Sequence, residues 1–362
     1  MVSGVLAPRP LADGGFSLYL DLCRFLAALA VLLGHMSQDG YAIPSIFERL
    51  SHEAVIVFFV ISGLVIAHSA EGRDARVYAA ARFSRLYAVI IPAMLFSILC
   101  AAFITSSGWQ PGVADRGEWS FADLGLSLMF LSRSWLVDAN LPLNYPFWSL
   151  CYEAFYYLIF ALLLYGGRLR WLWAGIAALI AGPAILALMP AWLAGVWLHH
   201  RGGRLRKHSR FVAAVALIAI LAICLSGLPD IVRKAVQGEF PIWYVLRDST
   251  PVLTDLPIAA LFLIHLVAMR SAVPGILRKY ARAIKILSAA TFTIYMFHRP
   301  LIILLSGEQF EMLHGPVGSI ILLLGLVAGG MGLSQILEGR FTAWLRGHLA
   351  LVLQAPPRPV RI

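Results

Sequence analysis

Apolar residues in this chain fall in long unbroken runs, separated by short clusters of Arg, Gly, Pro and other polar residues. The runs neither alternate with period two nor sit on one stripe of a period-3.6 helix. They are apolar all round, and most are close to the 17–25 residues a helix needs to cross about 30 Å of hydrocarbon. The first run ends near residue 36; the others cover roughly 53–69, 84–106, 121–135, 147–165, 172–188, 189–200, 210–228, 252–270, 285–305 and 316–337. The fold class this predicts is all-α, a polytopic integral membrane protein. The opening run is long, holds Asp21 and Arg24 and lacks an A-x-A-like site, so it reads as an uncleaved first span.

The distribution of positive charge sets the expected topology. Basic clusters occupy 70–85, 166–171, 201–210, 270–285 and the C-terminal tail. If 121–135 stays outside as an amphipathic or re-entrant piece and 189–200 crosses, these clusters and Arg9 share one face. That face then holds 21 of the 29 Lys and Arg residues. Lys and Arg accumulate in cytoplasmic loops, so ten spans with both termini cytoplasmic are expected. The whole chain, 1–362, reads as a single domain with a short lead (1–15) and a tail (338–362) whose end, APPRPVRI, should be mobile.

Composition sharpens this picture. The chain of 362 residues is 60% hydrophobic and 13% charged, with mean hydropathy +0.80, which excludes a disordered chain and an ordinary soluble enzyme. The formal net charge of +10 is explained by the loops, so no nucleic-acid partner is expected. The four cysteines lie in apolar runs without a CxxC pair, so neither a disulfide framework nor a metal site is expected. P-loop, HExxH, GxSxG and strand-borne GxGxxG motifs are missing.

Candidate chemistry lies in the ionisable residues inside the runs, each costing roughly 2.5–3.5 kcal/mol to insert. Arg24 and His35 are eleven residues apart, about three helical turns, so they share a face about 16 Å apart along the axis. Asp21 stands where it can pair with Arg24. Ser62 and Gly63 lie at mid-depth in the second span, where Gly63 suits either close helix packing or backbone approach by a substrate. Arg82 and Arg85 share a face at the start of the next span and offer planar forks suited to phosphate. Glu153 is expected at the depth of His35. Trp148, Tyr152 and Tyr157 read as an interfacial belt, with Tyr156 beside Glu153 the best candidate for substrate contact. Tyr295 and His298 share a face three residues apart, Tyr295 a candidate substrate contact and His298, toward the outer side at the depth of His35 and Glu153, a candidate catalytic residue. His199, His200, His208, His265, His314 and His348 read as loop or interface residues, and Gly325 and Gly329 form a weak GxxxG packing signal.

At these positions the sequence resembles the membrane acyltransferase-3 family, the integral-membrane O-acyltransferases of bacterial glycans and related nodulation and antibiotic-modifying enzymes. The resemblance rests on LDLCRFLAALAVLLGH, FFVISGLVI, RFSRLY, FWSLCYE and TIYMFHRPL, which follow the family's order between residues 18 and 301. It implies ten spans, acyl-CoA (often acetyl-CoA) as cosubstrate and no permanently bound cofactor. Transfer would go to a hydroxyl on a carbohydrate or lipid-linked glycan acceptor, in the bacterial inner membrane. It implies essential roles for Arg24 and His35, with Arg82, Arg85 and Glu153 supporting. In this chain FSR stands where the family more often has a second Arg directly after the first, and no further C-terminal domain is expected. His35 as general base and His35 as covalent acyl relay both fit the sequence. A transporter or exporter of a glycan intermediate or a proton-coupled solute is the alternative, because intramembrane His and Glu also suit proton coupling.

Overall fold

With no water in hydrocarbon to satisfy the backbone, apolar runs of this length form helices, and among the described residues the fold contains helices and no strands. The computed structural model describes residues 14–108, 119–139, 141–203, 205, 207–239 and 243–353. Helix α1 (Gly14–Gln38) is followed by α2 (Glu48–Ala70), α3 (Ala75–Ser107), a short α4 (Phe121–Leu128) and α5 (Trp148–Tyr165). Next come α6 (Arg170–Ala181), α7 (Pro183–Ala187), α8 (Met189–Arg201), α9 (Ser209–Leu225), α10 (Leu228–Glu239) and α11 (Trp243–Leu246). The chain closes with α12 (Val252–Met269), α13 (Ala281–Ala289), α14 (Thr291–Leu304), α15 (Pro316–Ser334) and α16 (Thr342–Leu353).

Six helices are long and apolar enough to cross a membrane, or up to eight when two bent pairs, in 209–236 and 275–304, each count as one span. The protein is a multi-pass membrane protein by this measure, and the count is lower than the ten expected. The shortfall lies mainly in 172–200. There Gly182, at φ +82°, and the Leu188 break divide the chain into helices of 12, 5 and 13 residues. The 13-residue α8 is only about 20 Å long at 1.5 Å per residue.

Segment 121–135 yields only the eight residues of α4, opened by a capping box in which Ser120 and Asp123 satisfy each other's backbone N–H. The expected tail boundary at 338 falls inside a π-helical turn, Gln335–Phe341, and α16 then packs along α3, where Arg346 Nε donates to Ser84. The stretch APPRPVRI lies outside the described residues, as does the lead up to residue 13. His265 is buried rather than interfacial, held between Tyr19 and the Ala213 carbonyl.

The core is built where α1, α2 and α8 meet. A Cβ at Gly63 would stand 1.9 Å from the Trp192 carbonyl oxygen, and one at Gly195 would stand 1.9 Å from that of Val60. Gly63 therefore serves helix packing and does not open the backbone to a substrate. Gly325 and Gly329 have open space at the same test, so the GxxxG pair packs against nothing described. Outward residues of α15 such as Ile320, Ile321 and Leu324 are exposed, as a lipid-facing helix requires. Because backbone cannot yield as a side-chain tip can, Gly195→Ala is expected to cost about 3 kcal/mol or more, read as a lowered Tm in detergent. Gly329→Ala should leave Tm unchanged.

Candidate active site

Two chambers open along α1, three helical turns apart. Arg24 lines the first, together with Ser62, Arg82, Arg85, Glu153 and Tyr157, around a cavity of about 110 Å³. His35 lines the second, together with Glu48, His52, Glu53, Arg233 and Asp248, around a cavity of about 270 Å³. Val55 and Tyr295 belong to the walls of both, so the chambers are neighbours. The order repeats on α2, whose residues 48–55 face the histidine chamber and whose residues 55–66 face the arginine chamber.

The arginine chamber gathers three cations around one wall carboxylate, Glu153, with Glu338 and Asp21 close enough to act on them without an ion pair. Among the described residues no ion pair involves Arg24, Arg82 or Arg85. The Arg82 guanidinium lies 5.8 Å from the centre of the Tyr78 ring, and its buried Nε has no hydrogen-bond partner among the described residues. Asp21 forms no ion pair with Arg24 among the described residues: its carboxylate accepts from Ser288 at 3.2 Å and acts on Arg24 only through its field. Three guanidinium groups that converge around a single wall carboxylate, Glu153, leave an excess of positive charge that a bound polyanion would neutralise.

Glu153 sits in this chamber rather than beside His35, contrary to the expectation of equal depth. It accepts from Tyr157 Oη at 3.0 Å, and Tyr157 reaches Ser62 Oγ at 3.1 Å. Trp192 Nε1 also donates to Ser62. Tyr156, expected at the substrate, is fully buried, donates to the Ile185 carbonyl and packs against Phe59 and Trp192. Tyr157, one residue on, takes the place at the chamber wall.

The histidine chamber is built on α1 and α14. Pro300 has no N–H to give Met296, its partner one turn back, and Asn144 Nδ2 donates to the orphaned Met296 carbonyl at 2.8 Å instead. Glu338, from the π-helical turn, accepts from the Thr293 N–H and hydroxyl at 2.9 and 2.7 Å and so caps the start of α14. An ion pair between Arg299 and Asp39 ties the far end of α14 to α1. These contacts fix His298, whose Nε2 lies 2.8 Å from His35 Nδ1 in nearly parallel rings. Tyr295 is held at the shared wall by Ser149 Oγ at 2.8 Å and by the Pro146 carbonyl at 3.0 Å. Glu338→Ala should lower stability by about 1–2 kcal/mol through the lost cap, seen as a Tm drop that Glu338→Gln partly restores.

These bonds determine which ring nitrogen is free. His298 Nδ1 lies 3.1 Å from the Ile294 carbonyl, which accepts only, so the proton is on His298 Nδ1. A neutral His298 then presents a lone pair at Nε2, which takes the proton of His35 Nδ1. His35 Nε2 is left unprotonated, the atom available to act as base or nucleophile.

Sequence reasoning missed Glu338, assigned to the tail, and the charged wall of the histidine chamber. His52 Nε2 lies 3.2 Å from Asp255 Oδ2, with Asp255 fully buried. The signal was present, since Asp255 is an acid inside the 252–270 run. In contrast, Glu338 comes to Thr293 only through the π-helical turn, which no periodicity announces.

Comparison with known proteins gives an independent view. Residues 17–339 match a family described as an acyltransferase domain. The acyltransferase MdmB of Streptomyces mycarofaciens is 33% identical over 184 residues, 46% of this chain and 46% of that protein, so the chain spans under half the length of that relative. No solved structure matches.

Proposed function

The chain belongs to the acyltransferase domain family, and from that premise we propose that it carries an acyl group, acetyl being the simplest case, from acyl-CoA to a hydroxyl of a carbohydrate or lipid-linked glycan. The observation that carries this reading is the pairing on one helix of a chamber with excess positive charge, three arginines to one wall carboxylate, and a free imidazole nitrogen three turns away.

Acyl-CoA suits the first chamber because its phosphates match guanidinium forks. Its slender pantetheine arm is of the order of the roughly 16 Å between Arg24 and His35, and would bring the thioester past Tyr295. The arginine chamber adjoins the basic loop that carries Arg73 and Arg76, so the positive-inside rule puts it on the cytoplasmic side, where acyl-CoA resides. The histidine chamber then faces outward. Its mix of carboxylates and arginines supplies both acceptors and donors for a polyhydroxylated ligand.

In the direct route His35 Nε2 takes the acceptor hydroxyl proton as that oxygen attacks the thioester carbon. The C–S bond breaks, and the departing thiolate recovers the proton from the imidazolium. His298 accepts from His35 Nδ1 throughout and so steadies the transient positive charge; it is a positioning residue, since its ring stands behind His35. Glu153 and Tyr157 hold the arginine chamber in shape.

In the relay route Nε2 itself attacks the thioester carbon and an acyl-imidazole delivers the group to the acceptor, with the hydroxyl proton leaving on the thiolate. An acyl adduct on His35, trapped with donor and no acceptor, separates the two.

Purified protein given acetyl-CoA and a sugar acceptor is expected to release free CoA thiol in proportion to ester formed. No thiol release with acetyl-CoA or longer acyl-CoAs, together with acyl-CoA-independent solute or proton flux in proteoliposomes, would replace this reading with a transporter.

A further inference from the structure

Beyond the arginine chamber, α2 ends in a group of ligating side chains that acyl transfer does not use. His68 lies in the last turn of α2, Glu71 immediately follows it, and His199 lies in the last turn of α8. One ligating atom from each falls within 4.8 Å of the others. His199 Nε2 is 3.5 Å from Glu71 Oε2, and the rings of His68 and His199 are 5.5 Å apart. His68 Nδ1 is buried and has no hydrogen-bond partner among the described residues. The chain pieces are 128 residues apart in sequence between Glu71 and His199. For that reason they left no spacing motif to read, and His199 was expected to be a loop or interface residue.

We propose that His68, Glu71 and His199 form a site for a divalent first-row transition cation, zinc fitting best, that clamps α2 to α8 at the inner rim of the arginine chamber. Two imidazoles and one carboxylate are a donor set for zinc, and water would complete a tetrahedron. Ligands about 2.1 Å from zinc in a tetrahedron stand about 3.4 Å apart. The His199–Glu71 separation already has that value, and a modest side-chain rotation brings in His68. The backbone beneath is fixed, because Gly63 and Gly195 hold the two helices in direct contact one to two turns away. Trp192 of α8 donates to Ser62 in the chamber wall, so a cation at this rim would stiffen the wall without touching the reacting atoms. A plain His199–Glu71 ion pair is the competing account, and it has no use for His68.

Cobalt titration of tag-free, chelator-treated protein in detergent tests this. Cobalt in a site with imidazole and carboxylate ligands absorbs in the visible, and zinc should displace it. The expected result is saturation at one equivalent, bleaching by zinc, and a Tm raised by either metal and returned by EDTA. His68→Ala, which leaves the His199–Glu71 pair intact, should weaken binding by about 100-fold or more, as should His199→Ala. Exposed His200, replaced by Ala, should bind as wild type does. A wild-type protein without a saturable cobalt band overturns the proposal whatever the variants do, and so does a His68→Ala protein that binds like wild type.

Discussion

Replacing His35 with alanine is expected to lower the rate of acyl transfer by about 10²–10⁴-fold, the usual worth of a positioned general base, while donor affinity stays within about twofold of wild type. The split follows from the geometry. His35 lines the chamber opposite the arginines and contributes a base or nucleophile, not a phosphate contact. His298→Ala should lower kcat by a smaller factor, about tenfold, and shift the pH profile of kcat. It frees the His35 Nδ1 proton from its acceptor and lets the ring choose either tautomer. A His298 variant with unchanged rate and pH profile would show that the imidazole pair is only packing. Steady-state transfer kinetics with acetyl-CoA, read as released thiol, distinguish these outcomes.

The second large effect is on the donor. Arg85→Ala is expected to raise KM for acyl-CoA by about 10–100-fold, corresponding to loss of roughly 1.5–3 kcal/mol in a charge-assisted contact. Arg85→Lys should recover part of this, because it restores charge without the planar fork. Arg82→Ala and Arg24→Ala should act in the same direction, and the three should combine less than additively because they would share one polyanion. Raised ionic strength should mimic them in part, weakening donor binding to wild type more than to the triple variant. Equal KM values in wild type and all three variants would remove the phosphate role from this chamber.

How far the fold and site could be read in advance depended on which physical signal each residue carried. Helix period alone placed Arg24 and His35 on one inward face, and both now line cavities along α1. The apolar runs announced helices. The breaks at Gly182 and Leu188 fall just before Pro183 and Pro190, which open the next helices, and Gly182 also lies against Trp135, a contact 47 residues away that the sequence does not show. Depth along a span was estimated by counting residues from an apolar boundary, and the count failed for Glu153. The chain enters α5 through a 3-10 turn, Tyr145–Phe147, and its first helical residues already sit at the level where the two chambers meet. Tyr156 and Tyr157 could not be ranked from sequence, since one residue of register decides which hydroxyl faces a cavity and which meets a backbone carbonyl. Gly63 was legible as either a packing or an approach residue, and only the proximity of Trp192 decided between them.

The most direct test of the central claim is equilibrium binding of CoA to purified wild type, His35→Ala and Arg24→Ala. The account predicts that the His35 variant binds CoA as wild type does yet transfers about 10²–10⁴-fold more slowly, whereas the Arg24 variant loses affinity by tenfold or more. Equal CoA affinity in all three, or affinity lost with His35 and kept without Arg24, would contradict it.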